Sequence, residues 1–274
     1  MSRRVSRKTK KFGWLSRLLM LVLVLYVLPV TYKVAEYYFN WNQAREWKSD
    51  ATGSVHPAPD PRLTDDAIIQ VYAARALRWR GVLGVHTWIA TKRSEDDFYQ
   101  RLEVFGYALQ WSNQTVQVRR GRPDRYWYGS EAVLLRELRG GDEVDALIDK
   151  IYEEAREYRF NKHYSVWPGP NSNTFISHLA QQIPEVSLDL PPTAIGKDYS
   201  VDGSVFQKPP SGKGVQITLN GLLGFILSPE EGIELNILGL TAGIDFSPFA
   251  IKLPGIGRIG NRDTKLKELA SYSQ

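Results

Sequence analysis

The most restrictive feature of this chain is its beginning. From Leu18 to Tyr32 it reads LLMLVLVLYVLPVTY, without a charge. Extended back to Phe12 across Arg17, the run makes about 31 Å of helix, the thickness of a bilayer core. Trp14 stands at one end and Tyr32, Tyr37, Tyr38 and Trp41 at the other, where interfacial aromatics anchor a span. Residues 1–17 hold Arg3, Arg4, Arg7, Lys8, Lys10, Lys11 and Arg17 and no acid. That excess predicts a cytoplasmic N-terminus with the remaining chain on the other side. A cleaved signal peptide is the rival reading. No small-x-small site follows closely, since Lys33 stands two positions before Ala35, so the sequence favours an uncleaved transmembrane anchor over 18–39.

The formal charge of +5 would suggest nucleic acid, but it is unevenly placed. The basic tail takes seven of the 35 Lys and Arg residues, and the remainder, with 30 acids, is slightly acidic. Nucleic acid is therefore not an expected partner. No cysteine is present, which excludes disulfides, thiolate chemistry and a lipoprotein attachment site.

Residues 40–65 are polar and proline-rich and read as a linker. A body follows over 66–200, then a β-rich extension over 201–262 and a polar tail over 263–274. In the body, Ile69, Val71 and Ala73 alternate as in a strand, although Ile68, Val71, Tyr72 and Arg75 would also line a helix face. Further strands are expected over 82–90, in YQRLEVFGYAL and in QTVQVRR. Val144, Leu147, Ile148, Ile151 and Ala155 share one helical face between Asp142 and Tyr158. A second helix should start near Ser172 and end before Pro184. Beyond LPP, short apolar runs split by glycines, with a hairpin signal at SPEEG, predict an antiparallel sheet. The fold class is α+β, an antiparallel sheet packed with helices.

Most chemical motifs are missing. The four histidines are scattered without metal-ligand spacing, there is no P-loop or serine elbow, and GIGRIG lacks a strand–turn–helix context. No metal or cofactor is expected. What remains is VYA from Val71, HTWI from His86, EVFG from Glu103 and NSNTF from Asn171. In that order these segments resemble circularly permuted papain-like proteins, namely the NlpC-like, lecithin–retinol-acyltransferase-like and PPPDE-type thiol hydrolases and acyltransferases. The whole chain also looks like a bacterial membrane-protein family of unknown function. The resemblance implies a permuted papain-like domain on the periplasmic side of the inner membrane. Its substrate would be an amide or ester of the cell envelope.

Where those enzymes carry cysteine, this chain has Ser172. A hydroxyl needs a base to remove its proton during attack, and His86 is the candidate, with the helix N-terminus stabilising an oxyanion. Glu103 is the candidate third group. With a hairpin turning about Glu95, His86 falls opposite position 104, a register that one residue of error would flip, and Gln110 and Asn113 stand behind Glu103. Asn171, Asn173, Trp88 and Trp167 are candidate substrate contacts. Each has a plainer reading. Asn and Ser are favoured helix caps, a histidine in an apolar strand can be a core residue, and Trp79, Trp88, Trp127 and Trp167 can be core aromatics. The alternative function is an inactive papain-like module that binds an envelope peptide, glycan, lipid or assembly partner.

Overall fold

The computed structural model describes residues 5–39 and 57–260, with side chains from residue 13 onward. The expectations for residues 1–4, for most of the linker (40–56) and for the polar tail fall outside the described residues.

The chain begins as one continuous helical rod: α1 (Val5–Val22), a π-helical turn (Leu23–Val27) and α2 (Leu28–Phe39). From Gly13 to Phe39 it is long and apolar enough to cross a membrane, and little of it is buried against the rest of the protein.

The body is a five-stranded antiparallel sheet with strand order β4-β3-β2-β1-β5. Its strands are β1 (Ala67–Arg75), β2 (Val85–Lys92), β3 (Gln100–Val104), β4 (Val116–Arg120) and β5 (Val133–Gly140). Helices α3 (Asp142–Glu157) and α4 (Ser172–Gln182) cover one face. There Ile69, Val71, Ile89 and Leu102 meet Ile148, Ile151, Phe175 and Ile176 in the main core. Each such side chain contributes about 1.5–3 kcal/mol through burial. An aromatic cluster of Tyr72, Trp88, Phe105 and Trp127 covers part of the other face. Because both faces are covered, β1 is buried almost throughout. That explains why its sequence satisfies a helical face as well as a strand.

β5 was not legible in the sequence. Its segment, VLLRELRG, is rich in helix formers and half exposed at the sheet edge, yet it pairs along β1 from Ala67↔Gly140 to Ala73↔Val133. Tertiary pairing overrides local propensity here.

The C-terminal region forms a separate seven-stranded meander, β6 to β12 in consecutive order. Its strands are β6 (Phe206–Gln207), β7 (Val215–Leu219), β8 (Leu223–Ser228), β9 (Gly232–Ile237), β10 (Leu240–Phe246), β11 (Phe249–Leu253) and β12 (Gly257–Gly260). The SPEEG hairpin turns where expected. Gly232 is required there, with φ +73° and the Ile244 carbonyl against the place a Cβ would take.

The meander is inverted relative to an ordinary half-buried sheet. Its inner face, turned toward the 187–205 connector, carries buried Gln216, Thr218, Glu234, Asn236, Asp245 and Lys252, while its outer face is aliphatic and exposed. The buried charges are matched. Lys252 Nζ lies 3.0 Å from Asp189, 2.6 Å from Glu234 and 2.9 Å from Asp245, and Lys197 joins Asp198 at 2.8 Å and Glu234 at 2.6 Å. Removing one member strands the others in a dry interior. Lys252→Ala is expected to lower stability by about 3–5 kcal/mol. Lys213→Ala, which breaks an exposed pair with Glu230, should stay within about 0.5 kcal/mol. Thermal melts of the full chain in detergent compare the two, and equal melting temperatures would refute the assignment.

Candidate functional site

His86 lies on β2, the central strand of the five, and Glu103 on β3. The hairpin pairs Ile89↔Leu102, Ala90↔Arg101 and Thr91↔Gln100, one residue along from the expected register. Glu103 therefore stands across from Trp88, on the same face as His86, and the expected register would have sent it to the other face. The His86 Nε2 atom is 3.6 Å from Glu103 Oε2, too long for a good hydrogen bond, and has no other partner among the described residues. Gln110 and Asn113 sit exposed beyond β3 and make no bond to the imidazole.

Glu103 is fully buried, with Arg125 Nη2 at 3.2 Å and Arg101 Nη2 at 3.9 Å. Burial pushes its carboxyl up, but His86, Arg125 and Arg101 together outweigh burial and hold it below the usual carboxylate range. For His86 burial dominates over the pull of Glu103, so the imidazole stays neutral to lower pH than a free one. Its ring stacks on Trp127 at 3.8 Å and faces Phe105 at 5.6 Å and Trp88 at 5.9 Å. A neutral imidazole beside an anionic carboxylate is suited to hold a proton. Here it is packed into an aromatic stack, and its Nε2 bonds no hydroxyl among the described residues.

The expected pairing of Ser172 with His86 is not formed. Successive strand side chains point to opposite faces, and α4 packs on the face of Thr87. The Thr87 hydroxyl donates to the Ser172 carbonyl at 3.3 Å and to Asn173 Oδ1 at 3.0 Å. His86 points through to the aromatic side, so Thr87, not His86, faces the α4 N-terminus. The cap of α4 is Asn171, one residue before Ser172. Its side chain accepts from the Asn173 and Thr174 amides, and Thr174 Oγ1 accepts from the Asn171 amide. Ser172 is the first helical residue, and its hydroxyl makes no hydrogen bond among the described residues.

The side chains expected to touch substrate are bonded within the protein. Asn171 Nδ2 donates to the Val166 and Ile195 carbonyls, and Asn173 Nδ2 to those of Val85 and Ile195. Trp88 is 1% exposed and bonded to the Pro123 carbonyl. Trp167 is half exposed, but its indole N–H is bonded to the Leu238 carbonyl of the meander. Sequence reasoning missed Arg125, in a loop without periodicity, and the exposed rings that extend the aromatic cluster outward at tilted angles. Phe105 leads to Tyr107 at 5.1 Å and Tyr107 to Trp111 at 5.0 Å. No cluster of three metal-ligating side chains occurs among the described residues.

Residues 66–199, which hold the five-stranded sheet, α3, α4 and His86, Glu103, Arg125, Asn171 and Ser172, match the family described as "Protein of unknown function (DUF3750)". No curated protein and no solved structure matches the chain.

Two outcomes follow from this geometry. Asn171→Ala removes an N-cap and two buried donors and should cost about 1–3 kcal/mol, whereas Ser172→Ala should stay within about 0.5 kcal/mol. Chemical denaturation of the full chain would contradict the cap if Ser172→Ala were the more damaging. The second outcome concerns pH. Both His86 and Glu103 have depressed folded-state values, so the stability they contribute is present above their unfolded values and lost as pH falls. The decline should begin below about pH 6.5 with His86 and continue below about pH 4.3 with Glu103. Burial also holds His178 below the usual imidazole range, so it shares the first stage. His86→Phe should shrink that stage and leave the second in place, and an unchanged profile in that variant would disprove the assignment.

Proposed function

We infer that this chain is a membrane-anchored binding or assembly module of the bacterial cell envelope, built on a permuted papain-like domain that lacks a working catalytic pair. The order of the VYA, HTWI, EVFG and NSNTF segments supports the domain assignment, as does an antiparallel sheet with a helix N-terminus laid against the HTWI strand. One observation carries the inactive reading: Thr87, not His86, faces the first turn of α4. A threonine hydroxyl cannot act as the base that a serine nucleophile needs at neutral pH. The anchor and its basic tail favour an extracytoplasmic body at the inner membrane. The exposed Tyr107–Trp111 pair, with Arg119 over the adjoining Phe105 ring, offers aromatic surface and charge to an envelope peptide, glycan or lipid.

Purified full-length protein should remain unlabelled by a serine-directed fluorophosphonate. A Ser172→Cys thiol should titrate as an ordinary one and react slowly with iodoacetamide near neutral pH. Fast labelling that vanishes in Ser172→Ala and weakens in His86→Gln would restore a hydrolase or acyltransferase. For orientation, a C-terminal alkaline phosphatase fusion should be active and a green fluorescent fusion dark, and the reverse pattern would place the body in the cytoplasm.

A further inference from the structure

The outer face of the meander carries one row of six aliphatic side chains across six adjacent strands. Direct cross-strand partners link Val215 to Leu227, Leu227 to Ile233, Ile233 to Ile244, Ile244 to Ile251 and Ile251 to Ile259. All six are exposed. The row is about 24 Å wide at the usual strand spacing. Their strand neighbours Gln216, Glu234, Asp245 and Lys252 point inward and are buried. Polar inside and apolar outside is the pattern of strands whose outer face meets lipid, the reverse of a sheet in water.

The N-terminal helix identifies the occupant. A parallel row on the same face runs Ile217, Phe225, Leu235 and Ala242. Ala242, the small member, is buried. At that spot the Tyr26 hydroxyl donates to the Leu235 carbonyl at 2.7 Å. Tyr26 lies inside the charge-free run, about 6 Å along the helix from the middle of Phe12–Tyr32 and well within the ~15 Å half-thickness of a hydrocarbon core. Further along, the Lys33 side chain lies beside Gly255, in the turn between β11 and β12, with its Cγ 3.3 Å from where a Cβ would sit. Lys33 stands about 16 Å from the same midpoint, at the polar boundary. A domain hung from its anchor by a linker would touch the helix only past the apolar run. This one touches it within the run, so whatever surrounds the helix there also meets the sheet.

We propose that the outer face of the C-terminal sheet is a second membrane contact, lying among the acyl chains of the leaflet on the body's side of the bilayer, next to the anchor helix. The proposal rests on the helix being the membrane anchor. Its edge strands β6 and β12 have a free side in the sheet order. Unpaired backbone is excluded from hydrocarbon, so the sheet docks by its face and does not span.

The chain contains no cysteine, so single nitroxide labels can be placed on the intact protein. Leu227→Cys and Ile251→Cys report the sheet face, Leu21→Cys the span, and Glu153→Cys, exposed on α3, the aqueous surface. The full chain is reconstituted in phosphatidylethanolamine–phosphatidylglycerol vesicles, and relaxation by oxygen is compared with relaxation by a polar nickel chelate. The oxygen-to-nickel ratio at 227 and 251 should exceed that at 153 several-fold and approach that at 21. Ratios at 227 and 251 equal to that at 153, with 21 still lipid-exposed, overturn the sheet contact alone. An aqueous ratio at 21 as well removes the anchor with it. Spin–spin broadening at 227 or 251 that disappears on dilution with unlabelled chain would show a second copy covering the face, and also overturns the proposal.

Discussion

Along a β-strand successive side chains leave on opposite faces, and three separate features of this protein hang on that period. On β2 it sends Thr87 to the helices and His86 to the aromatic cluster. On β3, with the hairpin register that forms, it brings Glu103 to the His86 side. On β6 to β12 it separates a charged inner face from an aliphatic outer one. Each outcome would reverse with a one-residue slip. The registers are held because each slip would expose apolar side chains to water or bury unpaired charges.

The chemistry of the five-stranded domain follows from the first two. A Ser–His pair needs both side chains on one side of the sheet, at the helix N-terminus where the developing oxyanion meets backbone N–H groups. Here the helix N-terminus is occupied by its own cap, since Asn171 satisfies the amides of Asn173 and Thr174. Asn173 ties the same turn to Val85 and Ile195. The imidazole, meanwhile, is flanked by Trp127 and Phe105. Histidine and helix thus serve two different packing layers of one sheet.

Much of this fold is readable from residue pattern, and the gaps have physical causes. α3 is legible because its helix packs one face only, so Val144, Ile148, Ile151 and Ala155 recur at helical spacing. β1 is half-legible because burial on both faces erases the alternation. β5 is invisible because an edge strand of leucines, arginines and a glutamate carries helix propensity, and only its partner β1 makes it a strand. The candidate site fares differently. The approach of His86 and Glu103 depends on register, which local sequence does not specify to one residue. Ser172 stands where the papain-like pattern has cysteine, although the helix is started by Asn171, one position earlier. Arg125 comes from a loop whose path is set by the sheet beneath it.

The inverted meander raises a problem of orientation that its buried charges solve. A sheet whose outer face is aliphatic gains by burying that face, against lipid or against its own connector. A second apolar face on the inside would leave the two nearly equivalent. The inner face is instead keyed to the connector by charge: Lys252 to Asp189, and Lys197 with Asp198 to Glu234, Gln216 and Asn236. Buried ion pairs add little net stability, because desolvation offsets most of their attraction, but they are strongly selective for the geometry that satisfies them. Turning the sheet over would part Lys252 from Asp189 and Glu234 from Lys197 and bring the charged face to the outside, and sliding one strand by a residue would break the pairs that Lys252 makes with Glu234 and Asp245. Both are far costlier than any packing defect. The charge cluster therefore fixes which face looks outward, and Tyr26 fixes where that face meets the N-terminal helix.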